Sequence, residues 1–254
     1  MTDEELLQKK RFIELARKST DCAYFIFTDF LGIAEQSVFA EAVASFGGAR
    51  FTRYGGCEGT ERIMVRFGDE DELGYAEPFP ISVIKISPRA PKFAEKLTHR
   101  DFLGAILNLG IERHTLGDIV IRDNEAFLFA KEDIAPYVAG ELTRVKHTDV
   151  ICQTVSESEL PEGELYKTRA VHIQLSGERL DALVAKVLSL SREEAQGYVR
   201  RRLTFVGGRL TENVSYVPKP DDVISVRGLG RFIYRGVDGL SRKGKLNATA
   251  DLFC

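Results

Sequence analysis

The chain has 254 residues, 44% hydrophobic and 29% charged, which is enough for two or three small domains, each with its own core. Its formal net charge of −3 hides an asymmetry: 14 Lys and Arg stand against 9 Asp and Glu from residue 171 onward, net +5, leaving 21 against 29, net −8, for residues 1–170. An acidic body with a basic C-terminal module argues against general polyanion affinity and for a localised nucleic-acid footprint.

In chain order, residues 4–20 read as a helix in which Leu6, Leu7, Phe12, Ile13 and Leu15 alternate with Lys and Arg, and residues 34–46 read as another. Residues 63–67 form a strand before the acidic loop 68–72, completing a small α/β domain over 1–76. After Pro78 and Pro80, residues 81–86 alternate as a strand. Residues 98–109 fit a helix with Thr98 as N-cap and Asp101 three residues on. Residues 118–122 and 126–130 are strands around Asp123-Asn124, residues 132–144 a second helix, and 150–155 with 167–175 further strand. The order β-α-β-β-α-β is the split β-α-β of a ferredoxin-like (RRM-like) domain, placed at 77–176. The aromatic consensus by which RNA-recognition modules stack bases is absent from residues 126–130, Ala-Phe-Leu-Phe-Ala. Phe127 and Phe129 share a face, and core is the expected reading. Residues 156–164 read as a long loop.

From Leu180 the apolar residues Leu180, Leu183, Val184, Val187 and Leu188 recur at helical spacing. Ser191 with Glu194 makes a capping box for the next helix, which ends in Arg200-Arg201-Arg202. Residues 203–206, the turn pair Gly207-Gly208 and residues 223–227 add short strands. Arg179, Lys186, Arg192, Arg200, Arg201, Arg202, Arg209, Arg227, Arg231 and Arg235 make the module rich in guanidinium, whose planar donors suit phosphate. A solvated mixed-charge face is the bland alternative, since arginines at a helix end also complement its dipole. The overall expectation is an α+β chain with this module at 177–236 and a basic, mobile tail at 237–254.

Residues 177–232 resemble the RNA-binding domain named after the fourth small-subunit ribosomal protein, the S-four-type domain. The matching residues are Arg179-Leu180-Asp181, Ser191-Arg192 with Ala195, Phe205-Val206-Gly207-Gly208, Asp221-Asp222, Ile224-Ser225-Val226 and Gly230-Arg231. The chain departs from that pattern at Arg202 and Asp221, where the family has Gly, and at Gly207, where it has Asn. Residues 53–67, with Tyr54-Gly55-Gly56-Cys57-Glu58-Gly59-Thr60-Glu61-Arg62, and 99–119, with His99-Arg100-Asp101-Phe102-Leu103-Gly104 and Gly117-Asp118-Ile119, resemble the bacterial YlmH-like family.

That resemblance implies a cytoplasmic, noncatalytic factor that binds ribosomal RNA of the large subunit and peptidyl-tRNA in ribosome-associated quality control, with a link to cell division. It carries RNA binding onto Arg179 and Arg192, with Arg200, Arg201, Arg202, Arg209 and Arg231 as supporting phosphate contacts. Replacing Arg179 and Arg192 with Ala is expected to abolish ribosome association with the fold intact.

No catalytic, cofactor or metal constellation is found. His99, His114, His147 and His172 are scattered, and Cys22, Cys57, Cys152 and Cys254 lack Cys-x-x-Cys spacing, so reduced cytosolic thiols are expected. Gly55-Gly56 lacks the Lys-Ser/Thr of a phosphate loop and reads as a turn, and Glu58 and Glu61 with Arg62 as an ion-paired cap. No membrane partner, small-molecule substrate or oligomer is expected. The alternatives are an RNA-modifying enzyme with an unrecognised active site and a protein-interaction adaptor in cell division.

Overall fold

A capping box opens the chain: the Thr2 hydroxyl accepts from the Glu5 amide at 3.2 Å and the Glu5 carboxylate from the Thr2 amide at 2.8 Å, starting helix α1 (Asp3–Cys22). The computed structural model describes residues 2–57, 60–122, 124–160 and 168–253. Glu58 and Gly59 of the glycine motif, Asp123, the end of the long loop, Lys167 and Cys254 lie outside them. Helix and strand are mixed in an α+β chain that divides into two compact units, Met1–Leu165 and Tyr166–Cys254.

In the first unit, α1 and α2 (Ile33–Ala42) accompany a three-stranded antiparallel sheet of β1 (Ile26–Phe27), β2 (Phe51–Tyr54) and β3 (Met64–Phe67), in the order β1-β3-β2. Phe12, Phe39, Phe46, Phe51 and Phe67 meet there with ring centroids between 5.1 and 6.4 Å apart, several of them edge to face. Strands β1 and β2 escaped the sequence reading because two and four residues are too short to show alternation. The expected acidic loop contains a single helical turn, α3 (Glu70–Leu73), whose Asp71 amide is met by the Asp69 side chain at 3.1 Å.

The same unit continues through β4 (Ile81–Pro88), α4 (His99–Leu107), β5 (Leu116–Arg122), β6 (Glu125–Lys131), α5 (Ala135–Glu141), β7 (Arg144–Val145) and β8 (Thr148–Val155). The sheet order is β5-β6-β4-β8-β7, antiparallel throughout, so β4 and β5, joined through α4, are split by β6. Helix α5 is shorter than the expected 132–144: Pro136 sits in its first turn and the chain leaves at Leu142 to form β7. Strand alternation gives the sheet two apolar faces. Ile84, Ile86, Ile119 and Leu128 pack with Phe102, Ile106 and Val138 of α4 and α5. Val83, Val120, Phe127 and Phe129 pack instead with Phe30 and Met64 from the preceding segment. Phe127 and Phe129 are therefore core, 3% and 0% exposed.

That second face explains why the expected 1–76 and 77–176 domains form one unit. Arg62 fastens it, donating from Nε to the Leu116 carbonyl at 2.9 Å and from Nη2 to the carbonyls of Phe30 at 2.9 Å and Arg113 at 3.3 Å. Arg113 donates to the carbonyls of Leu116 and Gly117, and Asp118 accepts the amides of Glu61 and Arg62. Burial pushes both guanidiniums down, Arg113 to about 10 with the Arg62 charge assisting. A Cβ at Gly117 would lie 2.8 Å from the Phe30 ring and 2.9 Å from Phe129 Cβ. The 53–67 and 99–119 motifs thus meet at a structural junction.

The second unit holds β9 (Thr168–Leu175), α6 (Leu180–Val187), α7 (Arg192–Arg200), β10 (Thr204–Val206), β11 (Arg209–Leu210), β12 (Val223–Val226), β13 (Gly230–Leu240) and β14 (Leu246–Phe253). Its sheet runs β11-β10-β12-β13-β14-β9, antiparallel, and packs on Leu180, Leu183, Val184, Val187, Ala195 and Val199.

Two expectations are corrected here. The tail at 237–254 is not a mobile extension: residues 246–253 pair with β13 on one side and β9 on the other, burying Ala248 and Ala250. Its basic residues Arg242, Lys243 and Lys245 belong to the turn of that hairpin, closed by the Ser241 amide on the Lys245 carbonyl at 2.7 Å. The strand at 168–175 likewise belongs to this sheet rather than to the central domain, so the boundary falls before it and not at 176.

Candidate nucleic-acid interface

Helix α6 begins at Arg179, its N-cap, and the amides of Leu180 and Asp181 are taken by the carbonyls of Tyr216 at 2.8 Å and Val214 at 3.2 Å. Asp181 is thereby set in the first turn with its side chain fully buried. After a turn through Ser189 in the left-handed region, Ser191 caps α7 and its hydroxyl accepts the Glu194 amide at 3.2 Å. The first residue of α7, Arg192, then faces the first turn of α6.

Both arginines close on the one carboxylate. Arg179 donates from Nε and Nη2 to Asp181 Oδ1 and Oδ2 at 3.1 Å each, a bidentate pair. Arg192 donates from Nη2 to Oδ1 at 3.2 Å and from Nε to Oδ2 at 3.3 Å, and Gln196 adds Nε2 to Oδ2 at 2.8 Å. One turn further along α7, Arg200 Nη2 donates to Gln196 Oε1 at 3.4 Å. Arg179, Arg192 and Arg200 therefore form one connected row, held through Asp181 and Gln196.

Burial alone would raise the Asp181 carboxyl, but the hydrogen bonds from Arg179, Gln196 and Arg192 outweigh it and hold it at about 2. The same pairing raises Arg179 above the ordinary arginine value. The side chains of Arg179 and Arg192 stay 41% and 50% exposed. Each commits Nε and one Nη to Asp181, leaving further N–H groups for an outside oxyanion, and the trio keeps a net charge of +1. Next to it, the buried Tyr234 hydroxyl donates to Glu178 Oε2 at 2.6 Å, fixing the residue before Arg179; burial, then that hydrogen bond, raises the phenol well above its usual range.

The other candidates are spread. Arg201 turns back on its own helix, donating to the Gly197 carbonyl at 3.2 Å with its guanidinium 4.8 Å from the Tyr198 ring centroid. Arg202 lies in the left-handed region at φ 62° with Nε 3.5 Å from Glu212. Arg209 is half-buried on β11 opposite Val206, and Arg231 on β13 covers the Phe253 ring at 4.0 Å. The sequence reading missed Asp181 and Gln196 as organisers. Their signal was an acid on the buried stripe of α6, three residues before Val184, and an amide four residues after Arg192.

Three comparisons with known proteins bear on this geometry. Residues 75–159, which contain the five-stranded sheet, match the family model described as "Putative RNA-binding domain in YlmH". The chain is 29% identical over 227 residues to "Ribosome-associated protein quality control protein P2" of Bacillus subtilis (strain 168), covering 87% of this chain and 85% of that one. A solved structure, "Cell division protein ylmH from Streptococcus pneumoniae", aligns at a TM-score of 0.49 and 23% identity over 63% of this chain and 95% of its own. Residues 75–159 therefore carry the domain described for YlmH, and most of the chain is similar to the Bacillus subtilis ribosome-associated quality control protein.

Proposed function

We propose that the chain is a noncatalytic, monomeric, cytoplasmic factor that binds ribosomal RNA of the large subunit, and peptidyl-tRNA with it, in quality control of stalled translation. Its central sheet is read as ferredoxin-like and RRM-like, and its second unit as an S-four-type domain. The observation that carries the reading is the Arg179–Asp181–Arg192 cluster: two half-exposed guanidiniums fixed side by side by a buried carboxylate, with Arg200 in line. Such a pair suits neighbouring phosphates on a folded RNA. The Bacillus subtilis relative's name supports the ribosome as the setting.

The geometry changes the choice of variant. Replacing both arginines with Ala would strand the Asp181 charge in the core, at a cost of about 3–5 kcal/mol, so loss of binding could reflect unfolding. Arg179→Gln with Arg192→Gln keeps an N–H donor on each side while removing both charges. The variant, shown folded by its thermal transition, is expected to leave the large-subunit fraction of a sucrose gradient at a salt concentration where the parent protein stays. Each charge-assisted hydrogen bond to phosphate is worth roughly 1.5–3 kcal/mol. Unchanged cosedimentation would remove the cluster from the interface, and association indifferent to salt would favour a protein-binding adaptor instead.

A further inference from the structure

The five-stranded sheet lies in the segment that matches the model described as "Putative RNA-binding domain in YlmH", yet the aromatics on that sheet's second face are buried, Phe127 at 3% and Phe129 at 0% exposure. Base stacking therefore cannot use them as they stand. The same domain carries another aromatic in the opposite condition. Phe93 is 91% exposed, the most exposed of the large apolar side chains described. It ends a short 3-10 turn, Pro91–Phe93, between β4 and α4.

This loop is built to hold its shape without burying Phe93. The Arg89 amide donates to the Asp149 carbonyl at 2.8 Å, and the Phe93 amide to the Ala90 carbonyl at 3.0 Å. Asn124 ties the far side, its Nδ2 on the Glu95 carbonyl at 3.0 Å and its Oδ1 accepting the Leu97 amide at 3.1 Å. Glu95 Oε1 accepts the His147 amide at 3.1 Å. A fixed loop that displays a phenyl ring to solvent gains nothing in stability from that ring.

Charge gives the ring its context. Arg89, Lys92, Lys96 and Arg100 are all exposed and, among the described residues, have no ion-pair partner, whereas Lys85, Lys131, Arg144 and Lys146 in the same domain are all paired. The neighbouring acids are already engaged: Asp101 with Thr98 and Lys146, Asp149 with Arg144, and Glu95 with the His147 amide. An exposed aromatic among unpaired cations, on an otherwise acidic unit, has the composition of a surface that stacks one base and neutralises the phosphates on either side.

We propose that the loop at 89–100 is a single-stranded RNA contact in which Phe93 stacks on an unpaired base while Arg89, Lys92 and Lys96 hold the flanking phosphates. It rests on the RNA-binding reading above, but not on the Arg179–Asp181–Arg192 cluster.

The sequence contains no Trp, so Phe93→Trp introduces a sole indole at the site. Titrating that full-length variant with a mixed-sequence single-stranded 12-mer RNA is expected to quench its emission saturably, and Lys92→Ala with Lys96→Ala to shift the titration several-fold to weaker binding. Tyr137→Trp, half-exposed on α5, is the control and should not respond. In the Arg179→Gln/Arg192→Gln background, Phe93→Ala should weaken RNA affinity by about tenfold or more. Unchanged emission while salt-sensitive RNA binding persists by anisotropy overturns the proposal, as does equal quenching of the Tyr137→Trp control. Quenching that persists when the arginine pair proves dispensable would sustain this site and sink only the cluster's assignment.

Discussion

One carboxylate shared by two guanidiniums makes Asp181 a positioning residue. Charge and position then predict opposite outcomes for Asp181→Asn. The substitution raises the local net charge by one, which by electrostatics alone strengthens RNA binding; loosening the two forks should instead weaken it, by about tenfold if one bidentate phosphate interaction of roughly 1.5 kcal/mol disappears. Affinity for large subunits at fixed salt decides between them. Acid stability follows from the same residue. Its folded-state value of about 2 lies below the ordinary 3.8, so its contribution is complete above about pH 4 and disappears as pH falls through about 2. The stability gap between the parent and Asp181→Asn, measured by urea unfolding, should shrink across that window by roughly 2 kcal/mol. Arg179 and Arg192 were visible in the sequence because they sit at helix starts in a recurring pattern. Asp181 was in the same pattern, but its role was hidden, since an acid in a first helical turn is ordinarily a solvated partner of the dipole.

Helix ends carried the clearest local signals. Thr98 with Asp101 and Ser191 with Glu194 form the capping boxes their spacing announced. At the other end of α7 the chain enters the left-handed region at Arg202, φ 62°, and again at Asp221, φ 70°, the two places where glycine was missing from the resembled pattern. The backbone thus keeps its shape and bears the strain. Arg202→Gly should raise stability by about 0.5–1 kcal/mol, because relief of the left-handed penalty exceeds both the added chain entropy and a solvent-exposed ion pair with Glu212. The melting transition of the second unit should move up by a few degrees, and no change or a fall would show that the side chain is compensated elsewhere. Strand β14 was the element the sequence concealed. Its inward residues include Ala248 and Ala250, too small and too poor as strand formers to mark an alternation, and the basic turn before it drew the eye to disorder.

At the scale of the whole first unit, the division into separate N-terminal and central domains failed because Phe30 and Met64 are distant in sequence from Val83, Val120 and Phe129, the residues they pack on. Periodicity describes each element's own face and says nothing of which distant segment covers it. The sheet order, in contrast, follows from element order once strand connections are restricted to the short and right-handed. Gly117 is packed between Phe30 and Phe129 at the junction, and Gly117→Ala should cost about 1–3 kcal/mol by pushing the two apart. Urea unfolding of that variant should show the loss; an unchanged midpoint would mean the junction has slack.

The place of β14, between β13 and β9, also sets an order of events during synthesis. The sheets and α-helices of the first unit are complete by residue 155, so it can fold while the ribosome is still translating. The second unit's first strand must wait for the segment starting at Leu246, a delay of several seconds at roughly 5–20 residues per second. A chain interrupted anywhere in that interval would carry a finished acidic unit and an open β9 edge, with the sheet beneath Asp181 and its two arginines incomplete. The support of the arginine cluster is therefore completed last, and under the function proposed above a truncated product should compete poorly for RNA with the full chain.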